Sequence, residues 1–93
     1  MTTTIQRFSQ KYKGLDIIGE IINPLRERYG YKNDLKITLG SNPLKKYNGH
    51  SGADYIYINL FYIKSVKHFI DTIVQEFVHV HQIERGDLSW DRN

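Results

Sequence analysis

The strongest constraint on the fold is a stretch near the carboxyl end, between Ser65 and Gly86, in which apolar residues recur at helical spacing. At about 100° per residue, one arc of this stretch collects Phe69, Ile70, Ile73, Val74, Phe77 and Val80. The opposite arc collects His68, Thr72, Gln75, His79 and Gln82. Ser65 is a favourable N-cap, and Gly86 is a favourable helix terminator. The pattern predicts a long amphipathic helix with Phe77 as its deepest anchor and a polar stripe that faces a cleft or solvent.

The segments before this helix predict one further helix and two strands. Residues 15–29 carry apolar positions at helical spacing, although Pro24 is expected to kink or divide the helix. Residues 35–39 alternate apolar and polar, which indicates a half-buried strand. Residues 40–53 are rich in Gly, Ser and Asn and are predicted to be a loop, and residues 53–60 predict a second strand. We therefore expect a small α+β domain with an N-terminal helix, a short two-stranded sheet and a long C-terminal helix.

The chain length and composition indicate one small, soluble domain. Residues 1–13 are polar and basic and are predicted to form an N-terminal arm or a short edge strand, whereas residues 14–93 form a single domain. The chain contains no cysteine, which excludes a disulfide framework and a thiolate zinc cluster. No signal peptide is recognisable, and no apolar run approaches the ~20 residues that span a bilayer. We expect no export by a signal peptide and no membrane association.

The charge is unevenly distributed along the chain. Residues 1–70 hold 11 Lys and Arg against 5 Asp and Glu, whereas residues 71–93 hold 2 against 5. A basic amino-terminal part could meet nucleic acid or an acidic protein surface. However, the basic residues are scattered and no recognition motif accompanies them. A solvated basic surface is therefore expected, with a nucleic-acid-binding adaptor acting through residues 1–46 as an alternative.

The polar stripe of the C-terminal helix contains a variant of a metallopeptidase motif. In H-E-x-x-H, two histidines one turn apart hold zinc while the glutamate between them activates a metal-bound water. Glu76 and His79 occupy the second and last of these positions, but Gln75 occupies the first. A glutamine amide oxygen is a much poorer zinc ligand than an imidazole. His81 cannot replace it, since it lies about 200° around the helix from His79.

The sequence around this motif resembles a family of small, phage-encoded zincin-like proteins. Residues 71–82, DTIVQEFVHVHQ, are similar to a helix of the form D-T-L-x-H-E-L-V-H-V-x-Q in that family. Residues 85–90, RGDLSW, are similar to the basic-glycine-acidic turn and tryptophan that follow it. The resemblance covers residues 53–90. It implies a zincin-like fold in which the strand over residues 55–60 forms the rim where a substrate peptide would lie.

Two departures from the family bear on activity. The first zinc histidine corresponds to Gln75, and the glutamate that is the family's third ligand has no counterpart up to Asn93. The resemblance with these departures implies a degenerate zincin-like phage protein with a non-catalytic structural or binding role, such as a virion component. We expect no cofactor, and we expect protein partners such as other virion proteins. The expected location is the host cytoplasm or the virion.

An active zinc metallopeptidase is the main alternative. Glu76 would then be the general base and His79 a zinc ligand, with Gln75 as a weak ligand or with a borrowed carboxylate or partner side chain. His50, in a glycine-rich segment, is a further residue that could reach a metal, whereas His81 is expected at the edge of the core.

Overall fold

A computed structural model describes residues 2–8 and 17–86. The elements in chain order are β1 (Thr3–Arg7), α1 (Ile18–Tyr29), β2 (Leu35–Gly40), β3 (Gly49–Ser51), β4 (Tyr55–Asn59), a short 3-10 helix (Leu60–Tyr62) and α2 (Val66–Arg85). The chain is thus a small α+β domain, as the sequence predicts.

The four strands form one mixed sheet in the order β1-β2-β4-β3. β1, β2 and β4 run parallel, whereas β3 is antiparallel to β4 and lies at the edge. Side chains of alternate positions on β2 and β4 are buried, and they join the buried residues of both helices in one core. Both helices therefore pack on the same face of the sheet.

The expectation of a two-stranded sheet is wrong, because the sheet also contains β1, which corresponds to the short edge strand expected as an alternative for residues 1–13, and β3, which was not expected. β1 has the sequence TTIQR, which shows little apolar alternation, so its pairing with β2 depends on backbone hydrogen bonds. β3 is three residues long, which is too short for a periodic pattern, and it lies within the expected loop of residues 40–53. Residues 3–7 of the expected arm form an edge strand, and the expected boundary after residue 13 lies outside the described residues.

The ends of both helices follow local sequence signals. The Ser65 side chain accepts a hydrogen bond from the His68 N–H at 3.0 Å, which is N-capping geometry. Gly86 and Gly30 end α2 and α1 at φ of 77° and 65°, a left-handed conformation that favours glycine. Pro24 was expected to kink or divide the first helix; the helix is not divided there, because α1 continues through the proline to Tyr29. Ile22 is fully buried just before the proline, so packing holds the helix together despite the lost backbone bond.

Phe77 lies in the centre of the core, as the amphipathic pattern predicts. It is fully buried, and its ring packs edge-on against Tyr31 with the ring centroids 5.6 Å apart. Ile56 and Ile58 of β4 belong to the same buried cluster. Across residues 2–8 and 17–86, no helix is long and apolar enough to cross a bilayer.

Candidate functional site: a groove between β3 and α2

Asn59, at the end of β4, fixes the loop that returns the chain to β3. It is fully buried, and its Nδ2 donates to the carbonyls of Asn42 and Lys45 at 2.9 and 3.1 Å. Its Oδ1 accepts from the Asn42 N–H at 2.9 Å. Its backbone N–H donates to the Asn48 carbonyl at 2.7 Å, which begins the β3–β4 pairing. The Asn59 side chain therefore holds the loop before β3, and its backbone makes the first contact of the β3–β4 pair.

His68 links the same loop to the start of α2. Its Nδ1 accepts a hydrogen bond from the Lys64 N–H at 3.1 Å, and its Nε2 lies 3.0 Å from the side-chain amide of Asn48. The Asn48 atom at this distance is Nδ2; because Nδ1 of His68 is an acceptor, a neutral ring carries its proton on Nε2, and a hydrogen bond there requires the Asn48 amide turned so that its oxygen faces the ring. His68 is thus a half-buried connection between the loop and the helix.

These two anchors place β3 beside the motif part of α2 and leave a groove of about 250 Å³ between them. The groove is lined by Gly49, His50, Ser51, Glu76 and His79. Glu76 is 9% exposed, and its Oε1 accepts a hydrogen bond from the Ser51 hydroxyl at 2.9 Å. A Cβ on Gly49 would lie 2.7 Å from the Tyr57 carbonyl oxygen and 3.4 Å from Cγ of Glu76. Glycine at this position therefore permits the close approach of β3 to the Tyr57 carbonyl of β4, next to the side chain of Glu76.

Two of the three predicted site residues meet in this groove. The carboxylate of Glu76 and the half-buried ring of His79 both line it, one helical turn apart. Gln75 is exposed and is not among the lining residues. The groove thus offers a carboxylate and an imidazole beside a strand edge. This arrangement can bind a polar or basic group.

His50 also lines the groove, but its ring, like that of His81, packs against a tyrosine. The ring of His50 stacks on Tyr57, with centroids 5.4 Å apart, on the sheet face away from α2. His81 is 8% exposed, its ring lies 4.7 Å from that of Tyr29, and Nε2 lies 3.3 Å from Arg85. The predicted position of His81 at the edge of the core is confirmed.

The residues that the structure describes do not fit a three-ligand zinc centre. Within residues 2–8 and 17–86, no group of three or more His, Asp or Glu is placed to hold a metal ion. Gln75 contributes at most a weak amide oxygen, and it lies outside the groove. Residues 87–90, which belong to the sequence resemblance, lie outside the described residues.

A larger hollow of about 630 Å³ lies between β1 and α1, far from the motif residues. Its charged lining residues are Arg26, Glu27 and Lys32, and Nη1 of Arg26 donates to Oγ1 of Thr3 at 3.2 Å. The same guanidinium donates to the Asn33 carbonyl and lies 5.1 Å from the ring centre of Tyr31. Arg26 therefore serves to fix β1 and the loop after α1. Despite its smaller volume, the β3–α2 groove is the better candidate site because the motif residues line it.

Sequence reasoning missed Gly49 and Ser51 as site residues. Both lie in a turn-rich segment, and nothing in the sequence pairs Ser51 with Glu76 across 25 positions. The isolated Gly-His-Ser-Gly segment gives no alternation long enough to indicate a strand. No protein-family model, no curated protein and no solved structure matches the chain.

Proposed function

We propose that this chain is a non-catalytic, zincin-like binding domain that holds an extended segment of a partner protein along the free edge of β3. The observation that carries the proposal is the position of this edge beside the groove of Glu76 and His79. The strand edge supplies backbone hydrogen bonds, and the groove supplies side-chain recognition.

The pairing of β3 with β4 leaves backbone groups of β3 directed outward. The Asn48 carbonyl and the Gly52 N–H bond to β4, and His50 is opposite Tyr57 in the register. Hydrogen-bonded positions alternate in an antiparallel pair, so the N–H and C=O groups of Gly49 and Ser51 point away from β4. An extended peptide can add a strand through these groups.

The groove favours a segment that brings a hydrogen-bond donor to Glu76. The Glu76 carboxylate is largely removed from water. Among the hydrogen bonds described for it, it accepts one, from the Ser51 hydroxyl. A carboxylate has further lone pairs, so an entering hydroxyl, lysine or arginine could bond to it. His79 forms the neighbouring wall. The preferred segment therefore carries a basic or hydroxyl side chain that faces α2.

The incomplete ligand set among residues 2–8 and 17–86 supports a non-catalytic role. Only His79 of the motif supplies an imidazole to the groove, and Gln75 is exposed outside it. Glu76 holds Ser51 and so connects strand and helix. From the sequence resemblance we further propose that the partner is another phage protein, in the virion or the host cytoplasm.

One observation favours the alternative of a zinc peptidase with Glu76 as general base. Glu76 and His79 do face one groove beside a strand edge, where a substrate would meet both. This alternative needs ligands beyond those of the described residues, from a partner or from residues 87–93.

A peptide selection combined with an activity assay tests the proposal. Random twelve-residue peptides are displayed and selected on the purified chain, and a selected peptide is then titrated by NMR. We expect the amides of Gly49 and Ser51 to shift, while those of the opposite edge strand, Thr3–Arg7, serve as the internal control. Shifts confined to the control edge, or no selectable peptide, would contradict the binding role.

Hydrolysis of a quenched peptide library with added zinc, abolished by Glu76→Gln, would instead establish the peptidase.

A further inference from the structure

The sheet face opposite the helices carries a distinct set of side chains. Its outward strand positions are Thr4, Gln6, Lys36, Thr38, Gly40, His50, Tyr55 and Tyr57. In the described part of the chain, both helices lie on the other face and no element covers this one. None of the outward strand positions carries a carboxylate.

Four rings form a connected cluster on this face, which we call the aromatic platform: Tyr47, His50, Tyr55 and Tyr57. His50 is stacked on Tyr57 at an interplanar angle of 25° and makes edge contacts to Tyr47 and Tyr55 at 5.1 and 5.6 Å. Tyr47 also contacts Tyr57 edge-on at 6.3 Å. The rings hold each other in place, so the platform is ordered in advance of any ligand.

The aromatic platform is accessible to solvent. A Cβ on Gly40 would collide with the hydroxyl of Tyr57, so the glycine lets this ring lie across β2. Tyr55 is 40% exposed, and His50 is exposed. Phe8 is 73% exposed just after β1, where its N–H donates to the Leu39 carbonyl at 2.8 Å. Aromatic surface therefore extends from β3 toward the β1 edge.

The charges around the platform are predominantly basic. Lys36 is exposed and is paired in register with Tyr55, and Lys45 and Lys46 are exposed just before Tyr47. Asp54, just before β4, is the one acidic residue next to the platform in sequence. A second copy of the chain is a poor occupant, because a symmetric contact would bring lysines of like charge together.

We propose that the aromatic platform binds single-stranded nucleic acid. Planar bases stack on exposed aromatic rings, and phosphates are attracted to nearby lysines. An open sheet face with aromatic side chains is a surface that unpaired bases can reach, whereas the bases of a duplex are already stacked on each other. The basic residues are scattered along the sequence, but the sheet brings Lys36 beside the rings. This function is independent of the β3–α2 groove.

Fluorescence anisotropy with a labelled twelve-nucleotide oligothymidine, at low salt, tests the proposal. We expect saturable binding that weakens as salt increases and that the matching duplex does not reproduce. Tyr55→Ala and His50→Ala should each weaken binding about tenfold, because stacking contributes roughly 1–3 kcal/mol per base. Tyr55→Phe keeps the ring and should bind like the unmodified chain.

Matched charge variants complete the test. Lys36→Gln should weaken binding and reduce its salt dependence, whereas Lys67→Gln, on α2 in the opposite layer, should not. Equal losses from both lysine variants would show general charge attraction and overturn the proposal. Absence of binding, equal binding of the duplex, or unchanged binding by Tyr55→Ala would also overturn it. Circular dichroism of every variant confirms that the fold is retained.

Discussion

The Ser51 hydroxyl donates a hydrogen bond to Glu76 at 2.9 Å and so connects the edge strand β3 to the middle of helix α2. Glu76 is 9% exposed, although a carboxylate is among the side chains least often buried. The serine satisfies one oxygen of the buried carboxylate, and Gly49 of the same strand also lines the groove beside it. The wall of the candidate groove therefore depends on this pair.

Ser51→Ala should destabilise the chain by about 1–3 kcal/mol, because it leaves the carboxylate of Glu76 buried with one partner fewer. Chemical denaturation monitored by circular dichroism measures the free energy of unfolding. Ser41→Ala, at an exposed serine, is the control and should change it by less than ~0.5 kcal/mol. If the Ser51→Ala cost is unchanged in a Glu76→Ala background, which removes the acceptor, the two side chains are not coupled and the assigned contact is wrong.

Phe77→Ala should cost ~3–5 kcal/mol, since the ring is fully buried and its removal leaves a cavity beside Tyr31. Gln75→Ala, two positions away on the exposed side of the same helix, should cost under ~1 kcal/mol. Thermal unfolding of both variants measures the difference. A larger cost at position 75 than at position 77 would mean that α2 packs on the sheet through its other face.

The sequence predicted the ends and the apolar face of α2 because two independent signals agree over the same residues, although Thr72 of the expected polar stripe is buried. The apolar arc around Phe77 specifies the buried face, and the Ser65 cap and Gly86 specify the ends. The strands β1 and β3 could not be predicted in the same way. Their places depend on partners distant in sequence, such as the carbonyls that Asn59 holds, and not on their own side-chain patterns.

The candidate site was predictable only on its helical side. Glu76 and His79 share a helix, so their spacing alone puts them near one another. The opposing strand adds Gly49 and Ser51 through a tertiary contact, which no local pattern specifies. The same holds for the aromatic platform, because Tyr47 and His50 meet Tyr57 only when β3 pairs with β4.

Gln75→His should raise zinc affinity at least tenfold, because it places two imidazoles one turn apart, at about 6 Å between Cβ atoms. Peptidase activity should stay absent, since the described residues supply no third ligand to fix the metal geometry. Zinc titration followed through histidine resonances by NMR measures the affinity of each version.

The matched control for zinc binding is the double variant Gln75→His with His79→Gln. It keeps one imidazole, so the increase in zinc affinity should disappear. Equal and negligible binding by the unmodified chain and by Gln75→His would show that positions 75 and 79 do not converge, and the zincin resemblance would lose physical support. Strong binding by the unmodified chain would contradict the non-catalytic proposal, because an additional ligand would then already be present.

In the Tyr31→Phe variant, the free energy of unfolding should fall less steeply at alkaline pH than in the unmodified chain. Burial raises the pKa of the Tyr31 phenol above its ordinary value of 10.0, partly opposed by the nearby Arg26 guanidinium. The hydroxyl donates to the Ala53 carbonyl at 2.8 Å, which only the neutral phenol can do. Its contribution to stability is therefore fully present below pH 10 and is lost as the pH rises through the folded-state pKa.

Tyr31→Phe should cost about 0.5–1.5 kcal/mol at neutral pH through the lost hydrogen bond, and less above pH 10. Unfolding free energies of both chains between pH 8 and pH 11, roughly spanning the reference tyrosine pKa, measure the two slopes. Parallel slopes would show that Tyr31 ionises as readily in the folded chain as in the unfolded one.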